Sequence, residues 1–339
     1  MTRTIPHAVV AMALAVSVCP AIAQVPSRGL HAAQDKDTVS VFDGSRPVFR
    51  YRRGAVPYKP YVDQLFSPAG VQILRDHVPD HGHHHGLMFA LRVDGVNFWE
   101  EDAQAAGTEK SRSLKLVNDA APEAISRAGF REALDWIAPG EKSPTLVERR
   151  WVTAIDGDPA GTPFGATLVT WRSHLETPPG KDSVKLDGSH YFGLGMRFVA
   201  SMDQGGRFFN ADNNPGQTVR GDERLTRTRW CAYTAKVDGK PVTVALFDHP
   251  ENVRPMTVFT MSRPFAYLSA TLNVWKEPIT LKAGRPLDLC LGIALWDGQV
   301  DDATVEKVYQ QWKGTPRTAP AISRLHPRDD APFFVQRGR

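Results

Sequence analysis

Five histidines fall within nine residues, in the run Asp76-His77-Val78-Pro79-Asp80-His81-Gly82-His83-His84-His85-Gly86. Imidazoles this dense repel one another when protonated, and histidine gains little as filler in a strand or loop, so the run reads as a site. Neutral imidazole is the commonest side-chain ligand for transition metals and the usual proton shuttle near neutral pH. Two chemistries therefore stand open. In an extended segment His81, His83 and His85 share one face and His84 points the other way. That trio could hold one divalent transition metal, with Asp80 completing the set or orienting a ring. Without a metal, the same imidazoles serve as general acid and base, with Asp80 holding one tautomer. The bland alternative is an exposed polar turn.

Two further clusters carry chemistry-bearing residues. Phe247-Asp248-His249-Pro250-Glu251-Asn252 follows a strongly apolar stretch, and strand ends opening into loops commonly carry function. Asp248 and His249 are candidate catalytic groups there, with Asn252 a substrate contact, together forming a second wall of the same site. Asp, Pro and Asn also suit a plain turn. In His190-Tyr191-Phe192-Gly193-Leu194-Gly195-Met196-Arg197-Phe198 the two glycines imply close backbone approach in a strand. Arg197 interrupts that apolar face as a substrate clamp or as the partner of a core carboxylate. Trp99 and Trp230 adjoin polar segments and could stack on a sugar ring, whereas Trp151, Trp171 and Trp275 read as core. No Gly-x-Ser-x-Gly elbow, His-Glu-x-x-His, phosphate-binding loop or zinc-ribbon cysteine spacing is present, which removes serine hydrolases, classical zinc proteases and NTPases.

The elements that must position these residues are mostly strands. Val39–Phe42, Val48–Tyr51, Leu87–Val93 and Ala166–Trp171 are short, β-branched or aromatic, and bounded by Gly, Pro or Asp. Asp94-Gly95 and Asp238-Gly239 each separate two such stretches and predict tight hairpins. One helix is expected: Asp301 or Asp302 caps it, Val305, Val308, Tyr309 and Trp312 recur at helical spacing, and Gly314 and Pro316 end it. Many short strands without alternating helices predict a mainly β protein, a large antiparallel β-sandwich over residues 41–315 in a single domain.

Residues 1–23 read as a signal peptide: Arg3 supplies the positive start, Ala8 to Val18 the short apolar core, and Ala21-Ile22-Ala23 the cleavage site. A polar linker is expected from 24 to about 40, and a surface or disordered tail over 316–339. Cleavage removes one positive charge from a formal +4, too small and dispersed a charge for nucleic acid. No other apolar stretch reaches membrane-spanning length. Cys231 and Cys290 would be left in an oxidising compartment, as a pair or as two buried thiols.

Gln64-Leu65-Phe66-Ser67-Pro68-Ala69-Gly70, Pro79-Asp80-His81-Gly82-His83-His84-His85-Gly86-Leu87, Gly193-Leu194-Gly195-Met196-Arg197 and Phe247-Asp248-His249-Pro250-Glu251-Asn252 together resemble the DUF6807 family, in the same order from about residue 45 to about 300. Members are often labelled "methane oxygenase PmoA". The family pattern is Asp-His-x-His-His-Arg-Gly, so His85 stands where the Arg would be, and its role as a substrate contact becomes pH-dependent or changes substrate. The label implies oxygenase chemistry on copper or iron held by the histidine run; a methane monooxygenase subunit sits in a membrane, whereas this chain offers only a cleavable signal. The resemblance otherwise implies a secreted β-sandwich similar to the galactose-mutarotase-like supersandwich.

These readings converge on a periplasmic or secreted carbohydrate-active enzyme that cleaves or isomerises a glycoside. Its centre is Asp80, His81, His83 and His84, with Asp248 and His249 opposite. His85, Trp99, Arg197, Trp230 and Asn252 contact the substrate, a small molecule or oligosaccharide. The alternative class is a non-catalytic carbohydrate- or metal-binding module.

Overall fold

The computed structural model describes residues 29–317, apart from Ala55, Asp80, Ala103, residues 120–124, Pro159 and Gln204. The expected signal peptide, the tail beyond Arg317 and Asp80 of the histidine run lie outside the described residues. Strands dominate, in two large antiparallel sheets and a small one. At the centre of a ten-stranded sheet Leu87–Ala90, Gly193–Arg197, Tyr267–Thr271 and Thr257–Met261 lie side by side. An eight-stranded sheet is built around Lys240–Asp248, Leu287–Asp297, Thr167–Glu176 and Leu146–Asp156. The two sheets share one apolar core, in which Val41, Phe49 and Leu194 meet Phe130, Val152 and Trp171. A four-stranded sheet contains the Arg92–Val93/Val96–Asn97 hairpin.

Local chemistry explains the turns. Asp94 and Gly95 both take positive φ (47° and 87°), as do Asp238 and Gly239 (49° and 85°), the conformation that matches the twist of a two-residue hairpin. The helix is Asp302–Lys313; the Asp301 side chain accepts from the Thr304 N–H, and Val305, Val308, Tyr309 and Trp312 are buried against the eight-stranded sheet. No helix among the described residues is long and apolar enough to cross a membrane.

Residues 30–40, expected to belong to a linker, instead hold the strand Leu30–Gln34 and the start of Thr38–Asp43. Val39 and Val41 are fully buried on alternate positions, and the polar residues that made the segment look unstructured occupy the outward positions between them. The two cysteines are free and buried; burial pushes the Cys231 thiol up to about 12 and the Cys290 thiol up to about 11.

Along Leu146–Asp156 the alternation runs against hydropathy: Glu148 and Arg150 face the core while Trp151 is half-buried on the other side. The Arg150 guanidinium, fully buried, binds Glu148 at 2.7 Å and Glu109 at 2.8 Å, and lies 4.8 Å from the Trp171 ring centre. It also donates to the Tyr51 hydroxyl and the Pro60 carbonyl of the opposing sheet. Tyr51 donates to Glu132, and Ser173 and Trp136 donate to Glu148. Burial leads, with repulsion from Glu148, in pushing the Glu109 carboxyl up to about 8 against the pull of Arg150.

Removing one partner of a buried ion network strands the others, so Arg150→Met is expected to cost about 3–5 kcal/mol in denaturant unfolding. Glu109 binds a proton more tightly folded than unfolded. Its contribution is therefore complete at acid pH and fades as pH rises toward about 8. Glu109→Gln should flatten that decline; an unchanged pH slope would show that Glu109 is ionised in the core.

Candidate functional site

The histidine run is a set of turns rather than an extended segment. The His81 N–H donates to Val78 O and the His84 N–H to His81 O at 2.9 Å. This i to i+3 spacing stacks the His81 and His84 rings at 4.7 Å and 16°, in place of the expected shared face of His81, His83 and His85. His83 meets His84 edge-on at 4.5 Å. Gly86 then passes so close to the Val62 carbonyl that no side chain fits, which lets Leu87 pair with Val62 and aims the run from the sheet.

His85 turns inward. Its Nδ1 lies 2.7 Å from Asp76 and its Nε2 2.8 Å from Glu101, and its ring stacks on Tyr61 at 4.1 Å. Lys59, buried, reaches Glu101 at 2.7 Å, and the Tyr61 hydroxyl donates to Asp76. Burial opposes the charged imidazole, but the hydrogen bonds to the two carboxylates outweigh it and raise the pKa. His85 is thus a charged anchor beneath the loop, where the resemblance expects an Arg. A cation between two carboxylates is what the position requires. With both ring nitrogens engaged, His85 can neither contact substrate nor join His81 and His83 around a metal. Among the described residues no group of three or more His, Cys, Asp or Glu side chains is placed to hold a metal ion.

His81, His83 and His84 instead line a cleft of about 470 Å³ together with Glu100, Tyr191 and Phe265. Glu100 is aimed by the hairpin that precedes it: the Asn97 side chain accepts from the Trp99 and Glu100 N–H groups, turning the chain. The His83 Nδ1 and Glu100 Oε2 are 3.1 Å apart. Burial, then the nearby Lys59 and His81, lower His83 to about 4; burial and His83 lower His84 to about 2; and burial raises Glu100. At neutral pH His83 and His84 are therefore uncharged, beside a carboxyl that holds its proton more tightly than usual.

The turn after Gln217–Thr218 also lines the cleft; in it the Glu223 N–H donates to Arg220 O. Glu223 is held by Arg220 at 2.6 Å and His190 at 3.1 Å. Phe259 and Met261 come from one face of Thr257–Met261, and Tyr267 forms the floor. Gly195 lies where any side chain would strike the Tyr267 hydroxyl. The buried His84 Nδ1, Trp99 Nε1 and Tyr267 hydroxyl, on rings 5.2–6.4 Å apart, have no hydrogen-bond partner among the described residues.

The other expected contacts lie elsewhere. Asp248 accepts from the Asn252 side chain at 2.7 Å and the Met256 N–H at 2.9 Å; burial pushes its carboxyl up to about 6. Asn252 also ties both backbone groups of Cys290, and His249 packs edge-on against Trp312. This cluster closes a strand end and lines no part of the cleft. Trp99 is fully buried, stacked on Phe192 at 4.9 Å, so it supports His84 from below instead of meeting a ligand. Trp230 is buried under the helix and donates to Glu306. Arg197 is 2 % exposed beneath the cleft, 3.5 Å from the Phe265 ring centre, with Asp203 at 3.7 Å. Glu100, Glu101 and Glu223 escaped the sequence reading; the run Trp99-Glu100-Glu101-Asp102 immediately after a hairpin was the available signal.

The family described as "Family of unknown function (DUF6807)" matches residues 38–310. No curated protein matches. Among solved structures, the α-galactosidase from Lactobacillus brevis aligns at 8% identity and TM-score 0.43, covering 83% of this chain and 42% of that one. The galactosidase domain of an α-galactosidase-sucrose kinase aligns at 10% identity and TM-score 0.40 over 79% and 40%. A candidate aldose 1-epimerase from Klebsiella pneumoniae subsp. pneumoniae aligns at 13% and 0.39 over 80% and 79%. The chain thus spans less than half the length of the two galactosidase structures.

His85→Gln leaves Asp76 and Glu101 without their shared cation and is expected to cost about 3 kcal/mol near pH 6. The folded pKa of His85 lies above its unfolded value, so its contribution is complete below about pH 6.5 and is lost as pH rises through the folded value. His85→Arg should keep the fold and remove that loss. Parallel stability curves for wild type and His85→Arg from about pH 5 to about pH 9 would show that His85 is not charged.

Proposed function

The chain belongs to the DUF6807 family, and we propose that it binds a carbohydrate in the histidine-lined cleft and cleaves or isomerises a glycoside by acid–base catalysis. The observation that carries this reading is the His83–Glu100 pair at 3.1 Å in the lining of a cleft that Glu223 also lines. A carboxyl with a raised pKa is suited to deliver a proton, and the neutral His83 ring, its Nδ1 3.1 Å away, is placed to relay one to it. Glu100 gives its proton to a glycosidic or ring oxygen as the C–O bond breaks; in hydrolysis that proton leaves on the released alcohol and Glu100 is re-protonated from water, whereas in ring-opening isomerisation it returns from the ring hydroxyl as the ring closes. Glu223, oriented by Arg220 and His190, accepts the proton lost by the attacking water or by the sugar carbon. The faces of Tyr191 and Phe259 suit the apolar side of a sugar ring, while carboxylates and guanidinium suit its hydroxyls.

Acid–base assistance from a positioned side chain is worth about 10²–10⁴-fold, so Glu100→Gln and His83→Gln should each lower kcat/KM by at least about 10²-fold on any glycoside found active, as measured by product analysis. Because the acting acid must be protonated, wild-type activity should fall as pH rises past the raised pKa of Glu100, and that limb should vanish in Glu100→Gln. Wild-type turnover in both variants would sink the assignment. Saturable sugar binding without turnover, unchanged by Glu100→Gln, would mark a binding module instead.

Residues 1–23 support placing the protein in the periplasm or outside the cell. Amino-terminal sequencing of the exported protein should begin at Gln24.

A further inference from the structure

A second cleft, of about 1250 Å³, opens between the segment 203–208 and the segment 260–264. It lies beside the first and meets it at two turns, Gly221-Asp222 and Arg263-Pro264, which line both clefts. The turns are tied across this shared ridge by the Arg263–Asp222 pair at 2.8 Å, which is exposed to solvent. Its volume exceeds the about 300–1,000 Å³ usual for a single small ligand, so it has room for a chain.

Arg207, Arg224 and Arg263 line this cleft. Most described arginines pair with a carboxylate, including the fully buried Arg150 and the exposed Arg220. Arg207 and Arg224 are within ion-pair distance of none among the described residues, yet both are held in place. One guanidinium nitrogen of Arg224 donates to Gly221 O at 2.7 Å and Glu223 O at 3.0 Å, and Arg207 lies 4.9 Å from the Phe209 ring centre. The two carboxylates that line the same cleft are engaged: Asp222 with Arg263, Asp203 near Arg75 and Arg197. Two positioned guanidinium groups without a counter-ion, in an open cleft, form a receptor for an anion with paired oxygens.

We propose that this second cleft binds the carboxylate or sulfate groups of an acidic oligosaccharide whose neighbouring unit occupies the histidine-lined cleft. The proposal rests on the carbohydrate reading above and narrows it to acidic chains that cross the Asp222–Arg263 ridge. The Glu223 backbone carbonyl that holds Arg224 belongs to the same residue whose side chain faces the first cleft, so the two clefts are positioned by one turn.

The test is a calorimetric titration of the full chain with uronate tetramers (galacturonate, mannuronate and a glucuronate-containing repeat). Each is compared with its carboxyl-reduced counterpart, and a sulfated galactose tetramer with its desulfated one. At least one anionic member should bind about tenfold or more tighter than its neutral counterpart, and which arm responds identifies carboxylate or sulfate. The preference should disappear in Arg207→Ala/Arg224→Ala while affinity for the neutral counterpart stays. Equal binding within every pair, or a preference that survives in the double variant, would overturn the proposal. The acid–base reading would then still stand if neutral tetramers bind and Glu100→Gln loses turnover. Binding of no tetramer at all would overturn both.

Discussion

One buried guanidinium organises this molecule. Arg150 is the point where the two large sheets are joined by charge, since it binds two glutamates of its own sheet and reaches a hydroxyl and a carbonyl of the other. The carbonyl is that of Pro60. On either side of Pro60, Lys59 holds Glu101 and Tyr61 holds Asp76, and these two carboxylates grip His85. The adjacent residues, His83 and His84, form the cleft wall. The position of the cleft-lining histidines is thus inherited, bond by bond, from an ion network in the middle of the sandwich. Such a network is costly to desolvate and contributes precision of placement more than net stability.

The same geometry divides one short run of identical side chains into two electrostatic classes. His85 has two carboxylates against it and favours its charged form; His83 and His84 are desolvated beside other cations and imidazoles and remain neutral. Pushing neighbouring titratable groups apart in this way is how a protein obtains distinct acid, base and structural roles from one residue type. Here the charged member is the foundation and the neutral members face the cavity.

Where sequence reasoning succeeded, the signal was local. Asp94-Gly95 and Asp238-Gly239 demanded positive φ, Asp301 capped the helix, and the paired glycines at 193 and 195 marked strands packed against large neighbours. The histidine density at 81–84 likewise led to the cleft. What stayed hidden was non-local. Glu100 and Glu223 reach one cleft from distant parts of the chain, and only Glu100 carried a local mark, the acidic run that follows its hairpin. Asp248 and His249 looked functional because a charged pair ended an apolar strand, but Asn252 and the Met256 amide satisfy Asp248 internally. Glu148 and Arg150 broke the hydropathy rule altogether, because two opposite charges can share the interior where one cannot.

The strand Leu287–Asp297 has consequences for how the molecule comes into being. It is inserted between Thr167–Glu176 and Lys240–Asp248, so the last strand of the described residues occupies the middle of the eight-stranded sheet. Until that strand arrives, its two neighbours present open hydrogen-bonding edges and the apolar face of the sheet has a gap at its centre. Sheet completion must therefore wait until the residues through Asp297 have been made, and pairings of such long range close slowly. Until that strand is made, the eight-stranded sheet stays open by topology alone.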